Sequence, residues 1–221
     1  SQWIVFVDEN ANLKLIIAAL RRLAEKGYRV RWASRNRLEK DLSDIEFCRE
    51  LADAGCRLMS VGYETNVQRL LDRMNKGVDA SLYQRIVDNL HEVGIALRFS
   101  VMGGLFDETP QEAEMSQAFL VRNANKVGFD VAQLMIVEPT SLLASDPIAH
   151  GIVIEPGERN LMANESFSFL GGRVGIRHSF ATGAGWDERV GQLAELVRNV
   201  LPEKNDNRHV RFQKVPPLRP G

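Results

Sequence analysis

The feature that most constrains this chain is an alternation that runs from residue 3 to residue 137. Short apolar runs, each ending in polar residues, are separated by longer segments whose apolar positions recur at helical spacing. Trp3 to Val7, Val30 to Ala33, Leu58 to Val61, Ala96 to Met102 and Val131 to Val137 read as strands. Leu13 to Ala24, Ile45 to Ala54, Val67 to Met74, Ser81 to Val93 and Pro110 to Val127 read as helices, several of them closed by Gly27, Gly55 or Gly94. Strands separated by crossover helices pair in parallel, so the expected fold class is α/β. The sheet is either covered on both faces or curled into a barrel.

In either arrangement the chemistry sits where strands end. The strand ends here are polar throughout: Asp8-Glu9-Asn10, Ser34-Arg35, Gly62-Tyr63-Glu64-Thr65, Gly103-Gly104 followed by Glu108, and Glu138-Pro139-Thr140-Ser141. Each alone has a plain structural use. Asp8 and Glu9 suit a helix cap, Glu64 a loop amide, and Glu108 the first turn of a helix. Five polar ends on one rim favour a binding site. The stretch MGGLFDET, residues 102 to 109, reads as strand, glycine loop and helix start, with backbone open to close approach by a ligand.

Composition narrows the class. The chain of 221 residues is 44% hydrophobic and 26% charged, enough for one sizeable domain with its own core. Its 28 basic and 29 acidic residues nearly cancel, so no bulk attraction to nucleic acid or to a membrane is expected. No apolar run approaches a membrane span, and the opening SQWIVFVDEN lacks the pattern of a signal peptide, so a soluble, cytoplasmic protein is expected. Cys48 and Cys56 match no metal-ligand spacing and read as small buried residues. His91, His150, His178 and His209 are scattered, which points to surface or capping roles rather than to metal.

The order and wording of the strand ends resemble the radical S-adenosylmethionine superfamily, in particular its cobalamin-binding branch. The likeness runs from FVDEN through RWASRNRLEKDL to ADAGCRLMSVGYETNVQRLLDRMNKG, where a strand ends in Gly-x-Glu and a helix ends in Leu-x-x-Met-x-Lys-Gly. It continues through HEVGIALRFSVMGGLFDETPQEAEMSQAFL, similar to the family's Gly-x-Pro-x-Glu-Thr loop but with Phe106 and Asp107 where Pro and Gly are common, and on through PTSLLASDPIAHGI. The resemblance implies a partial TIM-type barrel over residues 1–154, lacking the first strand and its cluster loop. A small helical extension would follow over 155–201, and a flexible tail over 202–221.

It also implies residue roles. Asp8, Glu9 and Asn10 match the motif that holds the amino end of the methionine part. Arg35 lies on the arginine-bearing strand among the cofactor-binding positions, and Glu64 faces the ribose or carboxylate side. Met102, Gly103 and Gly104 lie near the adenine, on a wall that Glu108 and Thr109 shape. A base stacked on backbone would leave no room for a Cβ, which would explain the glycines. Tyr63, Arg35 and Glu138 face the rim and are candidates either for touching a small-molecule or peptide substrate or for serving the loop framework.

The implied cofactors are S-adenosylmethionine and a 4Fe–4S cluster, with cobalamin in a preceding domain. One departure is decisive. The family's Cys-x-x-x-Cys-x-x-Cys loop is absent, and two cysteines cannot replace its three thiolates. The expectation is therefore a C-terminal fragment, inactive alone, of an enzyme that generates a 5′-deoxyadenosyl radical, whose missing N-terminal part supplies the cluster. The alternative is a cluster-free module that binds a nucleotide-like ligand or a protein partner. Beyond residue 154, Pro156 to Leu170 reads as helical, Arg173 to Phe180 as an extended edge, and Trp186 to Leu201 as a helix.

Overall fold

The computed structural model describes residues 3–137, 141–154, 161–163, 174–176, 178–181, 183 and 185–200. The first five strands are β1 (Trp3–Phe6), β2 (Arg31–Asn36), β3 (Cys56–Glu64), β4 (Ala96–Gly103) and β5 (Val127–Leu134). Helices α1 (Leu13–Glu25), α2 (Ile45–Asp53), α3 (Gln68–Arg73), α4 (Tyr83–Glu92) and α5 (Pro110–Arg122) fall between or after them. The rest comprises α6 (Leu142–Ser145), the short strands β6 (Ile152–Ile154), β7 (Leu161–Ala163), β8 (Val174–Ile176) and β9 (His178–Phe180), and α7 (Trp186–Val200).

Local chemistry sets the helix starts. Asn12 accepts from the Leu15 N–H at the head of α1, and Asp44 accepts from the Glu46 N–H at the head of α2. Thr109 and Glu112 form a reciprocal capping box on α5, with Pro110 in the first turn. In α1 the buried residues Leu13, Ile16, Ile17 and Leu20 share one stripe, which faces the sheet core.

All five long strands pair in parallel, in the order β1-β2-β3-β4-β5. Crossovers of one hand, taken in one direction along a sheet, place every helix on the same face. That face is buried. Ile4, Phe6, Trp32, Val61, Tyr63, Phe99 and Leu134 point into one core with Leu51, Ile86 and Leu120 of the helices. On the opposite face no described helix packs against β1, and its Trp3 and Val5 are 42% and 64% exposed. A one-sided sheet in sequential order is an arc of a barrel. The expected α/β partial barrel is therefore found, and no closed barrel forms among the described residues.

Some boundaries differ from the sequence reading. α5 ends at Arg122 and β5 begins at Val127, where the expected helix ran to Val127. Asn123 closes the helix by donating its side-chain amide to the Phe119 carbonyl, which frees the chain to turn. The C-terminal part is not purely helical. Residues 161–163, expected in a helix, form β7 paired antiparallel with β8, while β6 pairs with β9. The proposed helix over 156–170 otherwise lies outside the described residues, as does the tail 202–221. No described helix is long and apolar enough to cross a membrane.

Candidate functional site at the strand ends

The C-terminal ends of β1 to β4 form one polar rim, tied together residue by residue. At β1, the Asn10 side-chain carbonyl accepts from the Arg37 N–H at 3.1 Å, and its amide donates to Glu39 at 2.7 Å. Asn10 thus braces the rim, while Asp8 and Glu9 beside it are exposed and make no hydrogen bond or ion pair among the described residues. On β2, Ser34 and Asn36 turn toward the helices and bond each other at 2.6 Å. Arg35, between them, points to the open face and is exposed.

Glu64 ends β3 at a bulge, with φ +56°. Its carboxylate folds back over Gly62 and pairs with Lys76 at 2.8 Å, with side-chain exposures of 10% and 29%. A Cβ on Gly62 would sit 2.8 Å from that carboxylate, so the glycine makes the space. Lys76 also receives Arg37 on its carbonyl at 2.8 Å, which links the second strand end to the third.

The alternation of β3 corrects one expectation. Tyr63 does not face the rim: it is fully buried on the helix side, stacked between Phe99 at 4.9 Å and Phe119 at 5.4 Å. Its hydroxyl donates to the Ser116 carbonyl, and burial raises its pKa well above the usual phenol range.

The glycine loop is closed by its own carboxylates. Glu108 donates its N–H to the Leu105 carbonyl at 2.7 Å and accepts from the Leu105 N–H at 3.2 Å. Asp107 receives Arg69 at 2.8 Å and Arg73 at 2.6 Å, and Arg69 continues to Glu112 at 2.7 Å. The Arg73 guanidinium also lies 4.4 Å from the centre of the Phe106 ring. Asp107, where the family has a common glycine, is therefore the anchor of this loop. Burial opposes its ionisation, but the Arg69 and Arg73 contacts prevail and hold its pKa below the ordinary value.

The loop glycines also have a packing reason, on the side of α7. A Cβ on Gly103 would lie 3.3 Å from the Leu193 side chain, and a Cβ on Gly104 would meet the Arg189 stem at 2.9 Å. Both positions are small because α7 packs against the back of the loop. Glu64, Met102, Gly103, Gly104 and Glu108 line one cavity of about 620 Å³ between the end of β4, α5 and α7. Asp8, Glu9, Asn10 and Arg35 lie outside its lining, and Glu138 lies outside the described residues.

Glu108 is 8% exposed. Burial pushes its carboxyl up to about 7, against the opposing bonds from the Leu105 and Gly104 N–H groups. The folded chain therefore holds this proton more tightly than the unfolded chain, whose value is 4.5. The resulting stability is present at low pH and is lost as pH rises from 4.5 through about 7. Glu108→Gln keeps an acceptor for the Leu105 N–H and removes the titration. It is expected to be more stable than the parent chain at pH 8 by about 3 kcal/mol, the two converging as pH falls below the unfolded value, as read by urea unfolding at about pH 8 and about pH 4.

Cys48 and Cys56 are buried and free as expected, and burial pushes both thiols up to about 12. His178 departs from its expected surface role: it is fully buried against Arg189, Phe180 and Trp186. Among the described residues no group of three or more His, Cys, Asp or Glu side chains is placed to hold a metal. The sequence reading missed Lys76, Arg189 and the Arg98–Asp130 pair, 2.8 Å apart on the open face of the sheet. Of these only Lys76 carried a signal, as the lysine of the Leu-x-x-Met-x-Lys-Gly phrase.

Comparison with known proteins places this rim. Over 140 residues the chain is 30% identical to the bacteriochlorophyllide d C-12(1)-methyltransferase of Chlorobaculum tepidum, a stretch that is 61% of this chain and 29% of that protein. Its fold is similar to the radical S-adenosylmethionine methyltransferase TsrM of Kitasatospora setae, solved with cobalamin and a 4Fe–4S cluster. That match has a TM-score of 0.55 at 23% identity and covers 83% of this chain and 39% of TsrM. TsrM solved with tryptophan substrate and an S-adenosylmethionine analogue gives a TM-score of 0.54 at 22% identity, with the same coverage. The chain thus spans well under half the length of these relatives. The sequence pattern of the radical SAM superfamily itself matches residues 4–120, from β1 into α5, which takes in every rim residue described above. With more than half its length on that pattern and a parallel arc of barrel to match, this chain belongs to the radical SAM superfamily.

Proposed function

We propose that this chain is the S-adenosylmethionine-binding side of a radical enzyme of the cobalamin-dependent methyltransferase kind. Such an enzyme would act in the cytoplasm on a small-molecule or peptide substrate, with the cluster and cobalamin held by other parts of the protein. The observation that carries this reading is the family pattern over residues 4–120 lying on a rim whose carboxylates Asp8 and Glu9 have no partner among the described residues.

The residues present fit one cofactor and not the other. S-adenosylmethionine carries an ammonium, a ribose and a purine. Asp8 and Glu9 supply carboxylates for the ammonium, Glu64 with Lys76 supplies a charged pair toward the ribose or carboxylate side, and Met102 to Gly104 supply a largely apolar wall for the base. Arg35, on the open face beside Asn10, would complete the rim. A 4Fe–4S cluster, in contrast, needs thiolates, and the two thiols here are buried and pushed up to about 12. The cluster ligands must therefore come from elsewhere in the protein.

Held by these residues beside a reduced cluster, S-adenosylmethionine would supply the radical chemistry. The chain's own residues orient the cofactor and exclude water. In this reading residues 1–154 form the partial barrel, 155–201 an extension that backs it, and 202–221 a tail. The test is an anaerobic assay of the natural full-length protein, reconstituted with iron and sulfide and given S-adenosylmethionine and a strong reductant. Formation of 5′-deoxyadenosine, lost on omitting iron, is the expected result. A protein that binds S-adenosylmethionine and never consumes it would instead be a cluster-free binding module.

A further inference from the structure

Arg189 is the most deeply buried charge among the described residues, 1% exposed. One guanidinium nitrogen, Nη1, donates to the Gly104 carbonyl at 3.2 Å and lies 3.3 Å from His178 Nε2, while Nη2 donates to the His178 carbonyl. The guanidinium lies 5.0 Å from the Phe180 ring centre and 5.3 Å from that of Trp186. Its aliphatic stem packs flat on Gly104, where a Cβ would lie 2.9 to 3.1 Å from Arg189 Cδ, Cβ and Cγ. Gly104 is held at φ +64°, a conformation that side chains other than glycine resist. The guanidinium thus bridges two carbonyls, Gly104 on the loop and His178 on β9, while its stem covers Gly104 from one side.

We infer that Arg189 is a positioning residue for the nucleoside half of the ligand: from behind, it sets the backbone of the Met102–Gly104 wall. The inference rests on the reading above that this wall takes the adenosyl group. It gives the C-terminal extension a part in recognition, since α7 reaches across 85 residues of sequence to one carbonyl of the loop. Arg189 touches no ligand atom itself. Its effect is confined to the end of the site that the wall serves, and the carboxylates at the end of β1 are independent of it.

That independence makes the test specific. Arg189→Lys keeps the charge and most of the stem, but a single ammonium cannot grip the Gly104 and His178 carbonyls with the same fork. Arg189→Gln removes the charge as well. In the natural full-length protein, binding of 5′-methylthioadenosine, which carries only the nucleoside part, and of methionine, which carries only the amino acid part, is measured by equilibrium dialysis. For the Lys variant, nucleoside binding about tenfold weaker with methionine binding unchanged is expected, and a larger loss for the Gln variant. Should Arg189→Gln fail to fold, Arg189→Lys decides the matter. Equal loss of both ligands in the Lys variant would make Arg189 a general support of the fold and overturn the inference, and so would unchanged binding of both. If the unsubstituted protein itself does not bind the nucleoside, the reading of the wall fails first and takes this inference with it.

Discussion

Replacing Asp8 and Glu9 together by Asn and Gln is expected to weaken S-adenosylmethionine binding to the full-length protein by about 100-fold. The two carboxylates sit at the end of β1, are exposed, and make no contact among the described residues that would neutralise them. Their backbone is held by Asn10, whose carbonyl and amide are both committed to the start of the next loop. An ammonium placed against such a pair gains charge-assisted hydrogen bonds, each of about 1.5–3 kcal/mol in a site closed to water. Removing both charges at constant shape therefore costs about 3 kcal/mol of binding, or two orders of magnitude in Kd. Because the groups are exposed, the melting temperature should barely move. Equilibrium dialysis with labelled S-adenosylmethionine reads the first effect and thermal unfolding the second. Unchanged affinity would mean that these carboxylates serve solubility alone.

The largest effect on stability is expected at Gly55, which has φ +95° and joins the end of α2 to β3. Its carbonyl accepts from the Trp32 N–H at 3.0 Å, and the Trp32 indole donates to the Ala54 carbonyl at 2.9 Å, so this turn clamps the start of β2 to the end of α2. A Cβ at Gly55 would run into the carbonyl oxygen of Val30. Backbone strain of about 1–2 kcal/mol for a left-handed residue then adds to a clash with main chain, which cannot rotate away. Gly55→Ala is expected to lose at least about 3 kcal/mol in urea unfolding, at the upper end of what single substitutions do. A loss under about 1 kcal/mol would show that β2 and the α2 turn shift freely, against the packing described here.

The arc of parallel strands was legible because its physics is local. Apolar runs alternating with amphipathic stripes such as Leu13, Ile16, Ile17 and Leu20 leave few folds open, and helix signals such as Thr109, Pro110 and Glu112 fix the starts. What the sequence hid depends on residues far apart. Plain alternation along β3 puts Met59, Val61 and Tyr63 on the helix side, where Tyr63 meets an aromatic stack built from β4 and α5, so it does not face the rim. Val127 continues a helical spacing, yet the Asn123 cap stops α5 before it. The crowding of Gly103 and Gly104 by Leu193 and Arg189 was hidden too, because α7 lies far along the chain. The bracing of the rim by the Asn10 side chain was likewise hidden, since its partners Arg37 and Glu39 lie on the loop after the next strand. Asp107 shows the reverse case: a departure from the family phrase turns out to be the acceptor that ties the glycine loop to Arg69 and Arg73.

The central claim is that this rim completes an S-adenosylmethionine site next to a cluster held elsewhere in the protein. The most direct measurement is the electron paramagnetic resonance spectrum of the reduced, reconstituted full-length protein, before and after S-adenosylmethionine is added. The account predicts a cluster signal that changes on addition of S-adenosylmethionine, and that the Asp8→Asn, Glu9→Gln protein fails to show the change at the same concentration. A reconstituted protein with no cluster signal, or a signal indifferent to S-adenosylmethionine, would contradict it.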